Sequence, residues 1–279
     1  MAGVETGTVE AGGWTFGVRT AGPPAGRPVL LLHGFPQSAR SWDGVAGALA
    51  GAGCRAIAPD QRGYSPGARP PDVADYAVPH LVGDALAILD AHGADRADVV
   101  GHDWGAAVAW ALAIGHPERV RTLTAVSVPH PAAFGWALRS DDDQRRRSTY
   151  MDLFRQEGTA ERVLLEGGAR RLRGVFDGMP EAQVDAYVEP LREPGALTAA
   201  LNWYRAMGGG SGVPGPATVP TTYVWSTADP ALGRAGAERC GEHVTGPYAF
   251  EVLEGIGHWV PEQAPDRLAR IILQRLATA

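Results

Sequence analysis

Apolar residues in this chain recur with two different periods, and the alternation between them sets the expected architecture. Short runs in which nearly every residue is apolar, at 28–33, 54–59, 97–101 and 120–126, read as strands buried on both faces. Longer amphipathic stretches separate them: one near 41–52, one ending near His92-Gly93, and the small-residue helix 106–113, which Gly115 and Pro117 terminate. Strand followed by helix, several times over, predicts a mostly parallel sheet with helices on both faces.

After Pro129-His130-Pro131 the alternation stops. Up to about Leu201 the chain is charged, helix-rich and short of strand-like runs, which predicts a helical cap inserted into the sheet-forming sequence. The tract 208–216 is too rich in Gly and Pro for regular structure and is the expected return linker. Strand-like runs resume at 221–225 and 248–253, and 265–276 reads as a closing amphipathic helix. The expected division is therefore a core of 1–130 and 217–279 with a cap of 131–216. Within the cap, the charged run from Asp141 to Arg147 reads as a solvated turn.

Composition narrows the partners. At 279 residues and 45% hydrophobic the chain can bury a large core, and a formal charge of −6 with scattered basic residues gives no footprint for nucleic acid or an acidic membrane. Cys54 and Cys240 stand too far apart in sequence to suggest a disulfide framework or a metal site, so no metal is expected. The N-terminus lacks a basic region followed by an apolar run, and no stretch approaches the roughly 18 apolar residues of a membrane span. A soluble, cytoplasmic protein acting on a neutral small molecule is the expectation; nothing marks its oligomeric state.

The candidate chemistry lies where the third strand-like run meets the next helix, in Gly101-His102-Asp103-Trp104-Gly105. Small residues on both sides of a central side chain allow the sharp strand-to-helix turn that exposes a nucleophile at a sheet edge. Taken alone, the pentapeptide fits equally well an Asp that caps the following helix. Chain order adds to it. His33-Gly34-Phe35-Pro36 follows the first strand, so the amides of Phe35 and Trp104 can form an oxyanion hole. Asp229 follows the strand 221–225, and His258, flanked by Gly257, follows the last strand; an acid and then a histidine is the order a catalytic triad on such a sheet requires. His80, His92, His116 and His243 sit in helical or surface contexts instead.

A carboxylate at the nucleophile position needs no base to activate it. It can displace a leaving group at saturated carbon and form an alkyl ester. His258, held by Asp229, is then free to deprotonate a water that attacks the ester carbonyl.

Together, His33-Gly-Phe-Pro36, Asp60-Gln-Arg-Gly-Tyr-Ser65, Gly101-His-Asp-Trp-Gly105, Asp229 and Gly257-His-Trp259 closely resemble the epoxide hydrolase branch of the α/β-hydrolase superfamily, over almost the whole chain. The resemblance implies an α/β-hydrolase fold with a mostly parallel eight-stranded sheet, a helical cap, a buried pocket between them, and no cofactor. Small apolar epoxides and water would be the reactants, with His33, Trp203 and Trp259 as substrate contacts. In that family two cap tyrosines protonate the epoxide oxygen. Tyr204, in Leu201-Asn-Trp-Tyr-Arg205, resembles the second, and Tyr150, in Tyr150-Met-Asp-Leu-Phe154, more loosely resembles the first. The family continues there with Phe-Gln and a Pro-Gly pair, whereas this chain reads Phe154-Arg-Gln-Glu-Gly158. Tyr187 is the alternative, although its surroundings read more simply as the packing face of an amphipathic helix.

Two other functions fit parts of the pattern. A haloalkane or haloacid dehalogenase would use the same Asp, His and water, but Phe35 offers no side-chain donor to a halide and Trp104 stands where a carboxylate-binding Arg is usual. A binding or signalling protein could keep the fold without turnover, yet every expected polar group is present. A serine esterase is excluded at the elbow unless Ser127 or Ser226 acts from an unexpected place.

Overall fold

The computed structural model describes residues 3–207 and 215–278. Eight strands, β1 (Glu5–Ala11), β2 (Trp14–Ala21), β3 (Arg27–Leu32), β4 (Cys54–Pro59), β5 (Ala97–His102), β6 (Val120–Val126), β7 (Thr221–Ser226) and β8 (Tyr248–Leu253), form one sheet in the order β1-β2-β4-β3-β5-β6-β7-β8. The pairs β1–β2 and β2–β4 are antiparallel and every other pair is parallel.

The periodicity finds the six strands from β3 onward but not the first two. β1 is largely exposed and polar, so no apolar run marks it. A two-residue loop, Gly12-Gly13 at φ +58° and +84°, joins it to β2, and this positive-φ pair is the one strong hairpin signal in that stretch.

Side chains of β3 alternate between the two faces. Leu30 and Leu32 pack with α2 (Val78–Ala91) and α3 (Trp104–Gly115) on one side, and Val29 and Leu31 with α1 (Asp43–Gly51) and α12 (Pro265–Ala277) on the other. α3 is apolar nearly all round because it is enclosed by sheet and helices; Ala106, Val108, Ala109 and Leu112 are all buried. α12 instead buries one stripe, including Leu268, Ile272 and Leu276, and leaves the other wet. The short helices α10 (Arg234–Glu238) and α11 (Val260–Gln263) complete this α/β-hydrolase layer arrangement.

Between β6 and β7 the described residues contain helices and no strand: α4 (Pro131–Ser140), α5 (Asp142–Arg147), α6 (Tyr150–Phe154), α7 (Thr159–Arg173), α8 (Glu181–Leu191) and α9 (Ala196–Arg205). α7 is broken at 166–169, where Gly167, Gly168 and Ala169 take positive φ. These helices share an apolar cluster of their own, into which the sheet side contributes Phe35 and Trp259. Most of the expected linker 208–216 lies outside the described residues; only Gly215 and Pro216 fall within them.

The run Asp141–Arg147 is not the solvated turn that its charge suggests. Asp141 caps α5 by accepting from the Gln144 amide at 2.8 Å, and Gln144 is 1% exposed. Arg145 and Arg146 do face solvent, while Arg147 turns inward. A helical period inside the charged run puts residues 144 and 147 on the buried side.

Candidate active site

Where β5 ends, Asp103 takes φ +52° and ψ −122°, a conformation that costs a non-glycine residue about 1–3 kcal/mol and that the surroundings must impose. They do so by crowding. A Cβ on Gly101 would collide with the Gly105 carbonyl, one on Gly105 with the Leu32 carbonyl, and one on Gly34 with the Asp103 side chain. Only glycine at these three positions lets β3, β5 and α3 converge on one carboxylate.

The Asp103 side chain makes no capping bond to α3, which removes the capping alternative. Its Oδ1 accepts from the Phe35 amide at 2.9 Å, and the Trp104 amide also faces the carboxylate. Oδ2 lies 3.6 Å from His258 Nε2. The other ring nitrogen, Nδ1, is 2.8 Å from Asp229 Oδ2, and Asp229 Oδ1 accepts from the amides of Ala231 at 2.7 Å and Leu232 at 3.0 Å. Asp103, His258 and Asp229 are thus one buried chain of contacts, each residue 7% exposed or less.

The charges in this chain support one another. Burial pushes the Asp103 carboxyl up, but the His258 ring, His102 and the Trp104 amide outweigh it and hold it below the usual carboxylate range. Asp229 is likewise pushed up by burial and held low by His258 and its two loop amides. Burial opposes the charged form of His258, yet two carboxylates against it raise it to about 10. The two carboxylates therefore hold the His258 ring toward its charged form.

Helices α6 and α9 place Tyr150 and Tyr204 over this chain. Their rings lie 6.2 Å apart at 80°, and Tyr204 also meets the Trp104 ring edge-on at 5.2 Å. Burial and the charge of Asp103 both raise the two phenols, so they stay protonated as neutral donors. Asp103, Trp104, Tyr150 and Tyr204 line one cavity of about 530 Å³ whose remaining wall is mostly apolar, with Ala107, Phe134 and Met151 close to the polar group. Tyr187 does not reach it; its ring stacks on Phe176 at 5.3 Å and its hydroxyl donates to Glu262 Oε1 at 2.8 Å.

The three residues expected to contact substrate stand behind the cavity wall. Trp203 packs 5.6 Å from Trp104 and donates to the Arg62 carbonyl at 2.9 Å. Trp259 meets His258 edge-on and donates to the Val175 carbonyl at 3.1 Å. His33 accepts from the Gln61 amide at 3.1 Å and abuts Tyr64. None of the three is among the residues that line the cavity, and each has a ring nitrogen bonded to backbone.

Three further residues belong to the site without a motif-derived role. His102 stands between Gln37 Oε1, at 2.9 Å, and the His258 carbonyl, at 2.8 Å; burial lowers it to about 3, so it is neutral and its one N–H donates to one of these two oxygens. Gln37 in turn donates to Glu262 Oε1 at 2.5 Å. The one sequence signal for this bridge is position: Gln37 follows His33-Gly-Phe-Pro36 directly and His102 sits inside the nucleophile pentapeptide. Among the described residues no group of three or more His, Cys, Asp or Glu is placed to hold a metal, and no helix is long and apolar enough to cross a membrane.

Comparison with known proteins places this geometry. A family model for the alpha/beta hydrolase fold matches residues 27–265. The chain is 34% identical to the AB hydrolase superfamily protein YfhM of Bacillus subtilis over 99% of both chains, and 32% identical to epoxide hydrolase A of Mycobacterium tuberculosis over 96% of each. Among solved structures, epoxide hydrolase A from Mycobacterium thermoresistibile superposes with a TM-score of 0.86 at 29% identity over 98% of both chains. A carboxylate on a strand-to-helix elbow with a histidine–acid pair beside it fits the class, and the chain belongs to the α/β-hydrolase family. Within that family it falls in the epoxide hydrolase branch.

Proposed function

We propose that this protein hydrolyses epoxides to vicinal diols through a covalent ester on Asp103, with residues 131–216 acting as a cap domain on a core of 1–130 and 217–279. One observation carries the reading: two buried, protonated phenols share a largely apolar cavity with the Asp103 carboxylate. A carboxylate opposite two protonated hydroxyls is what ring opening needs, since carbon is attacked from one side while the departing oxygen takes a proton on the other.

The protons balance over the cycle. Asp103 attacks a ring carbon, the C–O bond breaks, and a tyrosine gives its proton to the alkoxide. His258 returns a proton to the tyrosinate and becomes neutral. Alkylation turns Asp103 into an uncharged ester, which removes one of the two carboxylates that hold the His258 proton. Neutral His258 then takes a proton from water, the hydroxide adds to the ester carbonyl, and the oxyanion rests on the amides of Phe35 and Trp104. Collapse breaks the acyl–oxygen bond, the second water proton goes to the leaving alkoxide, and the resting ion pair returns. A halide leaving group would make no use of the phenols, which separates this reading from dehalogenation.

The test is a trap. His258→Gln incubated with styrene oxide should accumulate a stable mass increase on the peptide that carries Asp103. Wild-type enzyme taken through one turnover in ¹⁸O-water should carry label in Asp103 before the diol does. No adduct on the variant, or label appearing first in the diol, overturns the covalent route.

A further inference from the structure

The catalytic acid stands on a loop whose outer side is held by α5 rather than by the sheet. Gln144 Nε2 donates to the Ala231 carbonyl at 2.8 Å and to Ser148 Oγ at 2.9 Å, and its Oε1 accepts from the Gly233 amide at 2.8 Å. Arg147 donates to the carbonyl of Asp229 itself at 2.6 Å, with its Nε anchored on Asp143 Oδ2 at 2.6 Å. The loop is pressed against the helix: a Cβ on Gly233 would stand 3.3 Å from Asp143 Oδ2 and 3.4 Å from Gln144 Oε1.

The same loop carries the amides of Ala231 and Leu232 that fix Asp229 Oδ1. Gln144 therefore grips the peptide group that carries the orienting Leu232 amide, through the Ala231 carbonyl, and the peptide group that follows it. Gln144 is the only one of the two clamp residues that is fully buried, and all its polar capacity is spent on this loop and on Ser148. Such spending of a buried amide, with no share in the cavity wall, points to positioning.

We propose that Gln144 and Arg147 are positioning residues for the hydrolytic half of the reaction: they hold the loop 229–233 and so keep Asp229 on His258 Nδ1. The inference rests on the alkyl-ester route proposed above.

Gln144→Met, which keeps volume and removes the hydrogen bonds, tests this with styrene oxide in rapid-quench single turnovers. Ester formation on Asp103 should stay within about twofold of wild type, and hydrolysis of the ester should slow about tenfold, the change that one net hydrogen bond corresponds to, so that ester accumulates. The acidic limb of the hydrolysis step should move to lower pH, because His258, faced by Asp229, Asp103 and His102, loses part of its support from Asp229. Arg147→Ala, at a partly exposed side chain, should give the same pattern more weakly, with Arg147→Lys restoring most of the rate. Hydrolysis at the wild-type rate in Gln144→Met and Arg147→Ala, or an equal slowing of both steps, overturns the proposal. Absence of any Asp103 ester in wild type would instead overturn the function on which it rests.

Discussion

The two halves of the site are built on opposite terms. On the sheet side, Asp103 and the Phe35 amide are fixed by strand ends and by glycines that allow no side chain. On the cap side, Tyr150, Tyr204 and the clamp on the acid loop hang from helices that touch the sheet side mainly through side chains. The first half is rigid through backbone crowding; the second is placed by packing and can shift as a layer. On the proposed mechanism the rigid half makes the ester, whereas the packed half handles the oxygen that leaves and, through the clamp, steadies the acid behind the base that hydrolyses the ester.

Several variants sharpen or break that division. The largest effect belongs to Asp103→Ala, which should lower diol formation by about 10⁴-fold or more, since no neighbouring group can replace the ester-forming carboxylate. Measurable turnover with a normal pH profile would place the nucleophile elsewhere. Next is the pair Tyr150→Phe with Tyr204→Phe, for which loss of about 10²–10⁴-fold in ester formation is expected with the fold intact by circular dichroism. If the double variant instead slows only ester hydrolysis, the split between the halves is wrong.

A third expectation concerns pH. Asp103 is held below its ordinary value of 3.8, so it is ionised throughout the neutral range and ester formation should be flat from about pH 8 down to about pH 5, falling only as pH drops through the lowered value. A fall already at pH 6, followed by rapid quench, would show that the His258 ion pair does not protect the carboxylate as described.

The smallest effect is on stability and lies at the seam between the halves. Both Tyr187 and Gln37 donate to one oxygen of Glu262 while the other is buried without a partner, and burial raises this carboxyl to about 7. A raised folded-state value means that the folded protein holds the proton more tightly than the unfolded chain. The contribution is full below 4.5 and is lost as pH rises through about 7. Glu262→Gln keeps both acceptor contacts and removes the titration, so wild type should lose a few degrees of Tm relative to the variant between about pH 5 and pH 8. Parallel Tm curves would mean that the carboxyl is solvated in the folded protein.

The same contrast explains what the sequence made legible. Buried strands announce themselves as apolar runs, and a nucleophile elbow needs small residues at fixed spacing, so the six inner strands and Asp103 with its neighbours can be read directly. β1 is polar and mostly exposed, and only Gly12-Gly13 betrays it. Cap residues lack local signatures because helix side chains take their role from what lies opposite. Asp141 to Arg147 has the composition of a solvated turn, and Gln144 is buried only because the loop after β7 arrives beneath it. Trp203, Trp259 and His33 show the converse limit. Adjacency to a motif in sequence says that a residue is near the site, whereas lining the cavity is a separate matter, and each of these rings has a nitrogen bonded to backbone instead.

The glycine crowding around Asp103 has a consequence for how this protein can be redesigned. Gly34, Gly101 and Gly105 leave no volume in which a substitution could reshape the sheet side without moving the nucleophile. The freedom to accommodate bulkier or differently shaped epoxides therefore lies in the opposite wall, at positions such as Phe134 and Met151, where side chains can grow or shrink around a fixed carboxylate. A library built on those positions explores substrate scope, and one built on the glycines samples mainly inactive enzyme.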